Sequence, residues 1–340
     1  MSPRIALVLV VLLAVLGGGA LLFQQQERAR RPDNAASLGQ LLLKNLKVAD
    51  IATVRIVEPK ATLTLQRQEA GWVIAERDGF PADVAKVREF ALKLLSLKIG
   101  QSEPIGEKDR ARLELDASGT QVELLGADGK ALASLIVGKK HFKREVDNPE
   151  KAPGDGRFVM LPADPRTVYT VSDPLALASA KTGEWIDRGS FQVEKIRFLE
   201  VKAPDGAAWR IERSADNADW KLGGLSAGEK LDISRANAAS YSLSLLALAD
   251  VAAKDAKNTG LDAAGPDRPT LINATTLDGR AYAIKVGRLQ GDNYFVSFTS
   301  AKPKDKEALL SRHVLLIPRS KLEDTLKKRT DLLEKKAARK

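Results

Sequence analysis

The 340-residue chain contains no cysteine. That excludes disulfides, thiolate metal sites and cysteine nucleophiles together. It also suits an oxidising envelope compartment, where a stray thiol is a hazard. Histidine is almost missing too: His141 and His313 are the only two. Neither stands at a metal-ligand or triad spacing from an acid or another histidine, so both read as surface or strand-end residues. No GxSxG elbow occurs. Gly223–Lys230 has the glycines of a phosphate loop, but Glu229 stands before Lys230 and Leu231 follows it. A carboxylate where phosphate would sit, with no hydroxyl for magnesium, makes this a hairpin loop. The expectation is therefore a non-enzymatic protein without a cofactor.

A charge field is missing as well, despite the formal +10. Residues 1–33 carry +2 and residues 319–340 carry +5, which leaves +3 for the long body between them. A body so nearly neutral offers no polyanion field, which speaks against nucleic-acid binding.

One long hydrophobic run is present. Ile5–Phe23 holds 19 residues without a charge. At about 1.5 Å per residue it matches a bilayer core. Its small residues, Gly17–Ala20, are followed by Leu21, Leu22 and Phe23 rather than by a polar cleavage site, so it reads as an uncleaved single-pass anchor. Arg4 on one side and Arg28, Arg30 and Arg31 on the other lean against export by the positive-inside rule. The very short leading tail favours a signal-anchor with the body outside the cytoplasm, at a bacterial inner membrane. Ala14 and Gly18, a small-xxx-small pair, fit ordinary membrane-helix composition.

Beyond the anchor the pattern repeats. Thr53–Glu58 (TVRIVE) matches Lys195–Glu200 (KIRFLE). Trp72 matches Trp220, Asp83 matches Asp232, Asp128-Gly129 matches Asp278-Gly279, and Gly138 matches Gly287. Each copy reads as short strands, then a helix, then a hairpin. In the first copy the strands are Val54–Val57, Thr62–Arg67 and Trp72–Ile74. Asp83 caps a helix whose stripe is Val84, Val87, Phe90, Ala91, Leu94 and Leu95. In the second, Asp232 or Ser234 caps and Ala239, Leu243, Leu246 and Ala247 form the stripe. Asp-Gly turns join Gln121–Leu125 to Leu132–Val137 and Thr270–Thr276 to Tyr282–Val286. Phe158–Leu161 and Val314–Ile317 close the two copies. The fold class is α+β, two tandem, mainly antiparallel modules behind one transmembrane helix. The divisions are an anchor (1–23), a stalk and lead-in (24–50), a first repeat (51–180), a connector (181–192), a second repeat (193–320) and a basic C-terminal helix (321–340). That last helix carries Leu322, Leu326 and Leu333 on one side and reads mainly as a solvated terminal helix.

Individual residues carry little chemistry. Trp72 and Trp220 read as core, and Asp83 and Asp232 as caps rather than paired acids. Glu150 and Asp155 sit in a Pro/Gly-rich excursion, Asp147–Arg157, with only a weak case for calcium. At the connector, Trp185, Arg188 and Lys195 are candidates for an anionic or sugar ligand if the two repeats form a cleft; inter-domain packing is the plainer reading.

Trp72, Phe80–Asp83, Asp128-Gly129, Val137-Gly138 and Trp185–Val201, behind an N-terminal anchor, resemble a bacterial family, domain of unknown function 4340, over most of Ile51–Leu322. The resemblance implies a membrane-anchored envelope protein, often encoded beside ABC-type transporter components, and carries over no catalytic residue. Three functions follow as expectations. The first is a non-enzymatic accessory or scaffold protein with a protein partner in the envelope. The second is a tethered ligand binder, and the third a carboxylate-based hydrolase.

Overall fold

The computed structural model describes residues 37–335 apart from 146, 153, 189–191 and 266. The expected anchor, Ile5–Phe23, lies outside the described residues. Among those described, no helix is long and apolar enough to cross a membrane. The protein is α+β, with antiparallel sheets and few, short helices.

Two compact units make up the chain. Of the described residues, the first takes 37–61 together with Arg88–Ala180, and the second takes Thr62–Val87 and 181–335. In chain order the elements begin with β1 (Thr53–Glu58), β2 (Ala61–Gln68), β3 (Gly71–Ile74) and β4 (Phe80–Pro81). Helix α1 (Val84–Ser96), β5 (Ile99–Pro104) and helix α2 (Glu107–Arg112) follow. Then come β6 (Thr120–Leu125), β7 (Ala131–His141), β8 (Gly156–Leu161) and β9 (Asp164–Val171).

In the first unit the strands lie in the order β1-β6-β7-β8-β9-β5. Alternation dictates which face is buried. Val54 stands opposite Leu124 and Ile56 opposite Val122, and all four are closed to solvent. Leu115, Met160 and Val168 add a smaller cluster, with Ile105, Leu113, Ile136 and Phe158 packed on it. The turn between β6 and β7 places Gly129 at φ 76°, where the Asp-Gly pair was expected.

The helix after Asp83 forms as expected. The Asp83 carboxylate accepts the N–H groups of Ala85 and Lys86 at 3.0 and 3.2 Å. Val87, Phe90, Ala91 and Leu94 are buried. Val84 is not: it occupies the first helical position, ahead of the turn that the core covers, and is exposed.

The second unit continues with β10 (Ile196–Lys202), β11 (Ala208–Glu212), β12 (Lys221–Leu222), helix α3 (Ile233–Tyr241) and β13 (Asp250–Val251). It ends with β14 (Thr270–Thr276), β15 (Ala281–Gln290), β16 (Asn293–Ser300), α4 (Asp305–Leu310), β17 (Leu315–Pro318) and the single turn α5 (Arg319–Leu322). Its sheet runs β12-β11-β10-β14-β15-β16-β17-β13. The same unit holds the antiparallel ladder of β2, β3 and β4. Asp232 caps α3, accepting from the N–H groups of Ser234 and Arg235. The expected stripe breaks off after Leu246. Ser242 and Ser244 turn their hydroxyls back on the carbonyls of Ala239 and Tyr241, which competes with helix propagation. The chain passes into a 3-10 turn and leaves Ala247 exposed.

The C-terminal stretch departs from the expected basic helix over 321–340. Among the described residues after α5 (up to 335) the helical structure is a 3-10 turn, Arg329–Leu332, and Leu333 bridges to Leu231. Leu322 and Leu332 are buried, the Asp232 N–H donates to Leu332 O, and the Glu334 N–H donates to Lys230 O. The apolar residues meet the second unit's own core, so this stretch follows that surface instead of a helical period.

Both units contain a β-bulge at a Val-Gly pair. The β7–β8 register shifts after Val137, and the Lys139 N–H donates to Leu113 O at 2.9 Å. The β15–β16 register shifts after Val286, and the Arg288 N–H donates to Thr259 O at 2.8 Å.

Candidate functional site

The three connector candidates do not converge. Trp185 is fully buried, and its carbonyl accepts the Asp83 N–H at 2.7 Å. With Ile186, which bridges to Ala82, it belongs to the core of the second unit. A ring at 0 % exposure cannot offer a face to a ligand. Arg188 lies exposed, and its guanidinium is turned to the Gly183 carbonyl at 2.8 and 3.2 Å. Lys195 does line an open groove of about 540 Å³ within the second unit, in the size range of small-molecule sites.

That groove is built where β10 begins and α3 ends. Val193 is tied to Leu243 through N–H to O at 3.0 Å, and the Lys195 carbonyl accepts the Leu277 N–H at 2.8 Å. Between these anchors Lys195 adopts φ 50°, a left-handed conformation that costs a side-chain-bearing residue about 1–3 kcal/mol and persists only when its surroundings fix it.

The opposite wall is a relay of three side chains. Arg213 donates from Nε to Ile196 O at 2.7 Å and from its two terminal nitrogens to Asp216, at O and Oδ1. Its guanidinium carbon stands 4.6 Å from the centre of the Trp220 ring. The Trp220 indole N–H donates to Asn237 Oδ1 at 2.9 Å. Asn237 is thereby held by its oxygen, which leaves its amide nitrogen for the groove. Tyr241, the last residue of α3, stands on the rim with two thirds of its surface in solvent. A second cavity, of about 610 Å³, also has Arg213 in its lining, together with Arg197, Glu212, Asp219 and Lys221. Trp220, just ahead of β12, is core; Trp72, in β3, is only half-buried.

Sequence reading missed Arg213, Asn237 and Tyr241. Arg213 and Asn237 carry no motif. Tyr241 alone left a trace, as a large aromatic off the buried stripe of its helix.

The other polar clusters fasten chain segments together. Arg77 reaches both carboxylate oxygens of Asp250, Nε to Oδ1 at 3.2 Å and Nη2 to Oδ2 at 2.8 Å. The Thr182 hydroxyl joins them, donating to Asp250 Oδ2 at 2.5 Å and hydrogen-bonded to Arg77. Glu229, the residue that spoils the phosphate-loop pattern, grips Arg329 at 2.6 and 3.1 Å. Glu307 accepts the Tyr282 hydroxyl at 3.0 Å. In the Asp147–Arg157 excursion the Lys140 ammonium donates to the carbonyls of Glu150 and Ala152, and Asp155 accepts the Lys143 N–H. The polar groups of the stretch where calcium was a weak expectation are thus engaged with lysines. Among the described residues no three His, Asp or Glu side chains are grouped to hold a metal. His141 ends β7, edge-on to Phe158 at 5.3 Å, and His313 stands edge-on to Phe80 at 5.2 Å.

A family model described as a domain of unknown function (DUF4340) matches residues 72–264. No curated protein and no solved structure matches the chain.

Proposed function

The chain belongs to the DUF4340 family, and from that footing we propose that it is a non-enzymatic accessory or scaffold protein of a bacterial envelope system. One observation carries the reading. The two-pronged ion pairs Arg77–Asp250 and Arg329–Glu229 are spent on joining distant stretches of the chain. Of the two carboxylates in the Lys195 groove, Asp216 is already paired with Arg213, whereas acid–base work by two carboxylates needs both turned to the substrate. The 19-residue apolar run supplies a single-pass anchor in this proposal, with the body outside the cytoplasm and a transporter component as partner. Solubilised membranes should yield the chain together with an ABC-type transporter component after crosslinking. A chain that leaves the membrane on salt washing without detergent, or that runs as a partner-free monomer, would remove this reading.

The scaffold itself is, in this proposal, a duplicated module. β1-β6-β7-β8-β9-β5 and β10-β14-β15-β16-β17-β13 run in matching order, and β2 pairs with β3 as β11 does with β12. Asp83 and Asp232 both cap, and the bulges at Gly138 and Gly287 bond to a crossing carbonyl in the same way. On this alignment Val314–Ile317 answers to β9; the counterpart of Phe158–Leu161 is β16.

The groove at Lys195 favours a second reading, a tethered ligand binder, in which the site lies inside the second unit. A thermal-shift screen of envelope metabolites tests it, and a flat response to every class would remove it.

A further inference from the structure

We propose that the groove lined by Lys195 and Arg213 binds a neutral glycan chain, an assignment that rests on the ligand-binding reading and gives it a ligand class.

Charge balance excludes a strongly charged ligand first. The Lys195 cavity is lined by two cations, Lys195 and Arg213, and two carboxylates, Glu194 and Asp216. In the second cavity the lining again alternates, Arg197 and Lys221 with Glu212 and Asp219. An anion would meet carboxylates and a cation would meet ammonium groups, so a net-neutral ligand gains most from this lining.

Hydrogen-bond inventory then narrows the class. The Lys195 ammonium and the Asn237 amide nitrogen only donate, and the carboxylates only accept. A ligand that uses both kinds at adjacent positions must itself donate and accept from each group. Hydroxyls do this, and a pyranose ring carries several. Its C–H face needs a flat apolar surface, which Tyr241 presents. That ring is 66 % exposed at the end of α3, and its own helix gains nothing by burying it.

Shape and stiffness agree. Arg213 lines both cavities, so a ligand held at its guanidinium has room to extend into either, which suits a chain of rings. Arg213 is held by three hydrogen bonds and stacked on Trp220, and Trp220 holds Asn237. Lys195 is fixed in its left-handed turn. Little ordering is left to be done when the ligand arrives.

The test is titration of the full chain in detergent, by calorimetry, with chitotetraose, maltotetraose and cellotetraose. Hexaglutamate and inorganic phosphate serve as charged probes. At least one tetrasaccharide should bind, at least ten-fold more tightly than its monosaccharide and with little response to salt. Tyr241→Ala and Asn237→Ala should each weaken binding ten-fold or more. Tyr241 is exposed, so its variant should keep the parent's unfolding midpoint. Binding that survives both substitutions overturns the assignment. So does capture of hexaglutamate or phosphate, but not of the sugars, with loss in Tyr241→Ala; the groove would then remain a binding site for another class. No binding by any probe, with a flat metabolite screen, overturns both the assignment and the reading it rests on.

Discussion

A Cβ placed on Gly138 would overlap the carbonyl oxygen of Leu113, the same oxygen that accepts the Lys139 N–H. Gly287 stands in the same relation to Thr259 O, which accepts the Arg288 N–H. In each place the bulge and the crossing loop are locked by one hydrogen bond that only a glycine lets form.

Gly138→Ala and Gly287→Ala should therefore each cost about 1–3 kcal/mol, the range for forcing an extra methyl into a close-packed site. Gly129→Ala and Gly279→Ala meet open space and should cost only the left-handed strain, about 1–2 kcal/mol. Urea midpoints of the four variants check this. A tolerated alanine at Gly138 together with a damaging one at Gly287 would speak against a shared module.

Arg77 and Asp250 form a two-pronged pair whose side chains are each only 18 % exposed. Removing one partner strands the other, so Arg77→Ala should lower stability by about 1–3 kcal/mol. Combining it with Asp250→Ala should cost less than the sum, by about 1 kcal/mol or more, in a double-mutant cycle. Strict additivity would mean that the pair contributes nothing beyond its neighbours.

Tyr282 donates to Glu307 in a closed site; burial, and then that carboxylate, push its pKa up to about 12. In the unfolded chain the phenol loses its proton near pH 10. The folded form is thus fully favoured below about pH 10 and loses stability as pH rises from there towards 12. Denaturation at pH 8 and pH 11 should show this loss, and Tyr282→Phe should shrink it. An unchanged alkaline slope in the variant would place its origin elsewhere.

His313 responds at the other end of the scale. Burial holds its pKa below the ordinary histidine value, with Arg312 acting the same way and Asp78 opposing. The unfolded chain takes up the proton first, so the stability tied to neutral His313 is complete above about pH 6.5 and declines as pH falls below it. His313→Gln should flatten the profile between pH 7 and pH 5, read as the unfolding midpoint against pH.

Much of this was legible in the residues alone. Alternation marked β1, β2, β3, β6, β7, β14 and β15. Asp83 and Asp232 announced their helices, and Asp128-Gly129 and Asp278-Gly279 announced the turns. Each is a local effect, set by residues within about one turn of one another. The candidate site was far less legible. Lys195 was singled out, but beside Trp185, which is core, and without Arg213, Asn237 or Tyr241.

The sequence by itself determined the strands of the Asp-Gly hairpins, the two capped helices, the α+β class and the absence of thiol chemistry. Only the tertiary structure decided which carbonyl meets each bulge, that Thr62–Val87 sides with the later part of the chain, that the C-terminal leucines turn into a core, and that the groove forms around Arg213. The reason is range: a cap or a period-two strand is an interaction among neighbours in the chain. A salt bridge such as Arg77–Asp250, or a groove wall running from Arg213 through Trp220 to Asn237, joins side chains whose sequence separation gives no periodic signal.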